Sequence, residues 1–153
     1  MNKTKTNFIS YLNCKRQGWY GYNNYPEEEL SFSQKAIISE SYKVEKLSTE
    51  LFPNIKESND FIKEINQPGP IVLYQPVIIS DDNLHIRADI IEKDSDSNIN
   101  LYEVKNSTKE KKHYIPDISI QKSALKFNGI NIEKANLILI DNQYALEGEI
   151  DPR

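Results

Sequence analysis

Leu84–Lys105 reads LHIRADIIEKDSDSNINLYEVK, and the fold turns on this stretch. Apolar residues fill both ends: Ile86, Ala88, Ile90 and Ile91 before the polar DSDSN segment, and Ile99, Leu101, Tyr102 and Val104 after it. Two such runs around a polar turn predict a β-hairpin. Three ionisable side chains interrupt them: Asp89 on the first arm, Glu103 and Lys105 on the second. Burying unpaired charge is expensive. A strand that carries it needs pairing, a metal, or exposure at a rim. Side chains alternate faces along a strand, so Glu103 and Lys105 project on the same side. Asp89 can then lie across from them at cross-strand distance.

Two carboxylates converging at a strand end form a hard-oxygen site, which suits Mg²⁺ or Mn²⁺. The backbone carbonyl of Val104 offers another ligand. Lys105 would orient or help deprotonate a water, or stabilise a pentacovalent phosphate transition state. The competing reading is a surface ion-pair ladder on a half-exposed hairpin.

Upstream of the hairpin, residues 4–17 read as a helix. Thr4 or Thr6 caps it, Phe8, Tyr11 and Leu12 share a face, and Gly18 stops it. The segment WYGYNNYPEEEL, residues 19–30, is a packed connector or an aromatic surface for stacking bases. A second helix runs from Ser33 to Leu51, with Ile37, Tyr42 or Val44, Leu47 and Leu51 as its apolar stripe; Pro53 disfavours helix just before it. Residues 56–66 suggest a short third helix with Phe61, Ile62 and Ile65 facing inward. Gln67-Pro68-Gly69-Pro70 is turn chemistry. IVLYQPVIIS (Ile71–Ser80) then reads as one strand, in which Pro76 implies an edge or a bulge. Asp81-Asp82-Asn83 is a turn, and LHIRADIIE is the next strand.

Downstream, TKEKKHY is a basic flexible loop, Asp117 opens a helix to about Asn128, and Gly129 closes it. ANLILIDNQY is apolar enough to expect burial on both faces, as for a parallel or central strand. The order α, α, β, β, β, α, β predicts an α/β fold, a mixed central sheet flanked by helices.

A chain of 153 residues suggests one domain, 1–153, with a modest core. It ends at EGEIDPR with no obvious terminal element, so it also reads as the N-terminal part of something longer. The net charge of −4 does not point to nucleic acid, but steering depends on local field rather than total charge. The single cysteine, Cys14, excludes an intramolecular disulfide framework and a metal–sulfur site. A reducing cytoplasm is the simplest setting. No apolar run is long enough for a bilayer, and MNKTKTNF lacks a signal core, so neither membrane nor secretion is expected.

The pattern of Asp89 among apolar residues, a polar turn, then L-Y-E-V-K resembles the PD-(D/E)XK nuclease superfamily. YEVKNSTKEKKHYIPDISIQ (Tyr102–Gln121) is similar to its RecB-like branch, which includes CRISPR-associated exonucleases and bacterial proteins with a RecB-like N-terminal domain. FISYLNCKRQGWY resembles that branch's opening, SYKVEKLSTELFP its first core helix, and NLILIDNQY its next core strand. The resemblance implies a restriction-endonuclease-like sheet and a metal-dependent DNase, with Asp89 and Glu103 as metal ligands and Lys105 as the catalytic lysine. Glu45 would be the helical acidic residue, with Glu40 as its competitor. Gln121 would help position DNA or the lysine, although the Tyr often found four residues later is Leu125 here. Lys109, Lys111, Lys112, His113 and Tyr114 would lie in a loop that approaches DNA. Some relatives carry an iron–sulfur cluster. Cys14 matches its first ligand, but the others have no counterpart, so no cluster is expected and Cys14 reads as a lone buried cysteine. The competing functional readings are a catalytically inactive nucleic-acid-binding or assembly module on the same fold, and a truncated remnant.

Overall fold

The structure is a computed structural model that describes residues 3–26, 28–80 and 83–143. In chain order its elements are β1 (Lys3–Thr4), α1 (Lys5–Asn13), α2 (Lys15–Tyr22), α3 (Phe32–Ser48), a 3-10 turn (Thr49–Leu51), β2 (Lys56–Glu57), α4 (Phe61–Ile65), β3 (Ile71–Tyr74), β4 (Val77–Ile79), β5 (Leu84–Arg87), β6 (Ile90–Lys93), β7 (Ile99–Val104), α5 (Tyr114–Phe127) and β8 (Lys134–Ile138). Its strands form two mixed sheets, so the α/β class holds.

Two expected strands are each broken in the middle, at matching points. Gln75 has a φ of 49°, and Pro76 has no N–H for the ladder. IVLYQPVIIS therefore splits into β3 and β4. LHIRADIIE splits opposite it, into β5 and β6, at Ala88 and Asp89. Pairing survives the bend, because Gln75 N donates to the Asp89 carbonyl at 2.9 Å and Ala88 N donates to the Pro76 carbonyl at 3.1 Å. The result is one long hairpin folded at its waist, with half in each sheet. The larger sheet has the order β2-β3-β6-β7-β8 and the smaller β1-β5-β4. Asp89 sits at the waist.

The core follows the strand register. Leu73 faces Ile91, and Ile91 faces Leu101, giving one apolar row across the larger sheet. All three are fully buried, as are Ile78 and Ala88 beyond the waist, with Ile86 nearly so. Ile120, Ala124 and Leu125 of α5, with Phe61 and Ile65 of α4, join the same cluster. Each such Leu, Ile or Phe side chain contributes roughly 1.5–3 kcal/mol by burial. Lys93 projects to this face too, and its ammonium donates to the carbonyls of Ile65 and Gln67 at the end of α4. The hairpin turn is fixed by Asp94, whose Oδ1 accepts from the backbone N of Asp96 and Asn98 at 2.9 and 2.8 Å.

Several local expectations are corrected. The helix expected over 4–17 starts where Thr4 caps it, accepting from Asn7 N, but it breaks at Cys14. The second segment, α2, runs straight through Gly18 to Tyr22. Gly18 is not a stop but the contact point of α1 and α2: a Cβ there would lie 2.4 Å from Tyr11 Cα. Backbone cannot yield as a flexible side chain can, so Gly18→Ala is expected to destabilise the protein by about 1–3 kcal/mol in urea unfolding. Cys14, expected to be buried, is exposed. The third helix shrinks to α4, with Phe61 and Ile65 buried and Ile62 exposed. The stripe expected on α3 is largely in solvent: Ile37, Tyr42, Leu47 and Leu51 are exposed, and only Val44 is half-buried. β8 is not buried on both faces. It pairs parallel to β7 at the edge of the sheet and is half-covered at best. Of the expected turn at Asp81-Asp82-Asn83, the first two residues lie outside the described residues, as does Tyr144 of the expected last strand. No helix among the described residues is long and apolar enough to cross a membrane.

Candidate active site

β6 and β7 pair with Ile90 opposite Tyr102. Continuing that register through the waist sets Asp89 opposite Glu103, on the same face as the Ile91–Leu101 row. Helix α5 covers this face. The site thus lies where the sheet bends away and the helix does not.

Glu103 is only 2 % exposed and takes three donors. Gln121 Nε2 donates to Oε2 at 2.5 Å, Lys105 Nζ donates to Oε1 at 2.5 Å, and Lys5 Nζ lies 3.3 Å from Oε1. Lys105 also pairs with Asp117, and Lys5 lies 3.0 Å from Asp117 Oδ1. Two lysines and two carboxylates therefore alternate in a closed ring. Burial by itself would pull both ammonium groups down, but the facing carboxylates more than offset it. Lys5 and Lys105 are held above the ordinary lysine value, and Lys105 strongly so. Burial pushes Asp117 the other way, yet Lys5 and Lys105 keep its carboxyl below the usual range.

Asp89 stands apart from this ring. Among the described residues it makes no ion pair; its Oδ2 accepts from Val104 N at 2.7 Å. Burial, and then the charge of Glu103, push its carboxyl up to about 7. The single backbone bond and the more distant Lys5 do not cancel that. Helix α3 reaches the waist from the opposite face of the sheet. Glu45 Oε1 accepts from Gln75 Nε2 at 2.6 Å, next to Asp89's own carbonyl partner. Burial, and then Glu45, push the neighbouring Tyr74 hydroxyl up to about 12. Glu40 instead pairs with Lys43 on the solvent side of the helix.

No protein-family profile matches this chain, and no curated protein matches it either.

The residues singled out from sequence thus divide. Asp89, Glu103, Lys105, Gln121 and Glu45 gather at the waist. Gln121 is fully buried and donates to Glu103 and to the Asp117 carbonyl, so it orients the carboxylate. Val104 enters through its backbone N–H. Lys109, Lys111, Lys112 and His113 are exposed on the loop before α5. Tyr114 is not on that loop's surface: it is buried in the first turn of α5, with Lys105 Nζ 5.4 Å from its ring centre. An aromatic face behind an ammonium favours the charged form.

Two members were missed. Asp117 stands four residues before Gln121, the spacing that puts two side chains on one helix face, and that signal was readable. Lys5 had none. It arrives because β1 pairs parallel with β5, Lys3 opposite Leu84 and Thr4 opposite His85, which delivers the next residue to the waist.

Among the described residues no three His, Cys, Asp or Glu side chains are grouped to hold a metal. The donors that face the waist are hard oxygens, and Gln121 Oε1 is a buried acceptor with no partner. That donor set is of the kind Mg²⁺ and Mn²⁺ take when carbonyl and water oxygens complete the shell.

Proposed function

We propose that this protein is a divalent-metal-dependent deoxyribonuclease on a restriction-endonuclease-like fold, of the RecB-like PD-(D/E)XK type. One observation carries the reading. A half-buried carboxylate, Asp89, stands beside a second, fully buried one, Glu103, and among the described residues no cation pairs with Asp89. Such a pair is costly unless a cation joins it. Asp89, Glu103 and the Val104 carbonyl would hold Mg²⁺ or Mn²⁺, with Glu45 reaching in from α3. The chemistry such an ion supplies is Lewis acidity, toward the phosphate and toward the attacking water. Lys105 is held protonated by Glu103 and Asp117, so its part is a fixed positive charge against the pentacovalent phosphate and not that of a base. Gln121 and Asp117 hold Glu103 and Lys105 in register. The basic loop Lys109–His113 supplies phosphate contacts for DNA.

A second reading rests on Lys5, which already neutralises Glu103 and Asp117. That suits a metal-free nucleic-acid-binding module on the same fold. Calorimetry separates the two. The nuclease is expected to release or take up heat with Mn²⁺, and Glu103→Gln to weaken that binding at least tenfold. It is also expected to cut linear or circular DNA, single- or double-stranded, only when Mg²⁺ or Mn²⁺ is added. DNA shifted in a gel, with no Mn²⁺ heat and no cleavage, would leave the binding module.

A further inference from the structure

Glu103 is saturated with donors. A carboxylate offers about four lone-pair positions. Those on Oε1 go to Lys105 Nζ at 2.5 Å and Lys5 Nζ at 3.3 Å. Those on Oε2 go to Gln121 Nε2 at 2.5 Å and Lys5 Nζ at 3.4 Å. Lys5 thus straddles both oxygens, the place from which a cation binds a carboxylate through its two arms. The three donors are not held equally. Lys105 is gripped by Glu103 and Asp117 with the Tyr114 ring behind it, and Gln121 is fully buried. Lys5 is the loose one. Charge-assisted N–H···O contacts run at about 2.7–2.9 Å, whereas Lys5 lies 3.0 Å from Asp117 and 3.3 and 3.4 Å from the Glu103 oxygens. Its side chain also lines a polar cleft of about 350 Å³, together with Thr6, His85, Arg87 and Asp89. A water takes up about 30 Å³ in the liquid, so the cleft has room for an ammonium and its hydration. Asp89 opens on the same space.

We propose that Lys5 is a tethered stand-in cation: its ammonium occupies Glu103 until a divalent ion takes its place, and then swings out into the cleft. The proposal rests on the nuclease reading and adds its regulation. Charge decides for exchange over simple addition. With Asp89 ionised, the carboxylates of Asp89, Glu103 and Asp117 face the ammonium groups of Lys5 and Lys105, which leaves one negative charge. A divalent ion added to all five would turn this into an uncompensated positive charge in a largely buried site, which is costly. The same ion in exchange for Lys5 leaves the group neutral. The cleft serves both movements, because it borders Asp89 as well as Lys5. Two consequences follow. Glu103 and Asp117 are never left bare when the metal is scarce. The apparent affinity for metal is lowered by the share of molecules in which Lys5 sits on Glu103, so the site fills only when the ion is plentiful.

Calorimetry with Mn²⁺ on the full chain compares the wild type with Lys5→Met. Methionine keeps an unbranched side chain of similar length and loses the charge. The variant is expected to bind Mn²⁺ about ten- to a hundredfold more tightly, the factor that one charge-assisted contact is worth. Without metal it should melt at a lower temperature than the wild type, since Glu103 and Asp117 lose a cation, and saturating Mn²⁺ should close the gap. Should Lys5→Met not fold without metal, the wild type carries the test. Acetylation by an N-hydroxysuccinimide ester, located by mass spectrometry of the peptides, should become faster at Lys5 once Mg²⁺ saturates the protein and stay slow at Lys105. Unchanged or weaker Mn²⁺ binding in Lys5→Met overturns the proposal. So does saturating Mg²⁺ that leaves Lys5 as slow to react as before. The two readings fail separately. DNA cleavage with equal Mn²⁺ affinity in the two proteins removes the exchange and leaves the nuclease. Tighter Mn²⁺ binding by Lys5→Met, with no cleavage by the wild type in any metal, removes the nuclease and leaves the exchange. No Mn²⁺ binding by either protein removes both.

Discussion

Lys105→Ala is expected to lower the rate of DNA cleavage by about 10²–10³ at saturating DNA and Mn²⁺, the loss that follows removal of one preorganised group facing transition-state charge. The expectation follows from where the ammonium is held. Glu103 and Asp117 grip it from two sides, and the Tyr114 ring backs it. Its geometry is therefore fixed before substrate arrives, and little reorganisation is needed during the reaction. The fold should survive, because Lys5 still spans Glu103 and Asp117 after the change. Mn²⁺ affinity should not fall, since a positive neighbour of a ligand has been removed. The wild-type rate profile should show no ascending limb from this lysine between about pH 6 and 9, because the facing carboxylates hold it protonated. Steady-state rates, Mn²⁺ calorimetry and a thermal melt on the same preparation check all of this. Equal activity in the variant would end the mechanism.

What was legible in the sequence was local. The β6–β7 hairpin, its polar turn and the shared face of Glu103 and Lys105 follow from period-two alternation alone. The closing of α5 at Gly129 follows from a backbone that needs a positive φ, and the structure has 74° there. Less was legible where one strand serves two sheets. Pro76 marked a bend, but not that the opposing strand would bend with it at Asp89. That pairing across the waist makes the site. Lys5 was out of reach for the same reason, since it depends on a two-residue strand whose partner lies 81 positions away. The stripe on α3 misled because periodicity reports an apolar face without saying what covers it. Glu45 and Glu40 were not separable by spacing; the contact with Gln75 distinguishes them.

The metal-free protein should be more stable as Asp89→Asn than as wild type at pH 8, by about 2–4 kcal/mol in urea unfolding. The sign comes from the direction of the shift. Burial and Glu103 raise the folded carboxyl to about 7, against 3.8 for the free group. Between those values the folded state binds the extra proton, so stability falls as pH rises through about 4 to 7 and the full penalty stands above 7. Asparagine carries no charge to penalise, and its carbonyl can still accept from Val104 N. Its advantage should therefore shrink as the pH falls and vanish below about pH 3, where wild-type Asp89 is protonated in both states. Saturating Mn²⁺ should reverse the order at pH 8. The wild type then gains about 2.7 kcal/mol at a hundred times its Kd, while the variant, missing a charged ligand, gains less and cuts no DNA. A wild type equal to the variant at pH 8, or more stable without metal, would mean that Asp89 already has a partner. The argument for a cation at the waist would then fall with it.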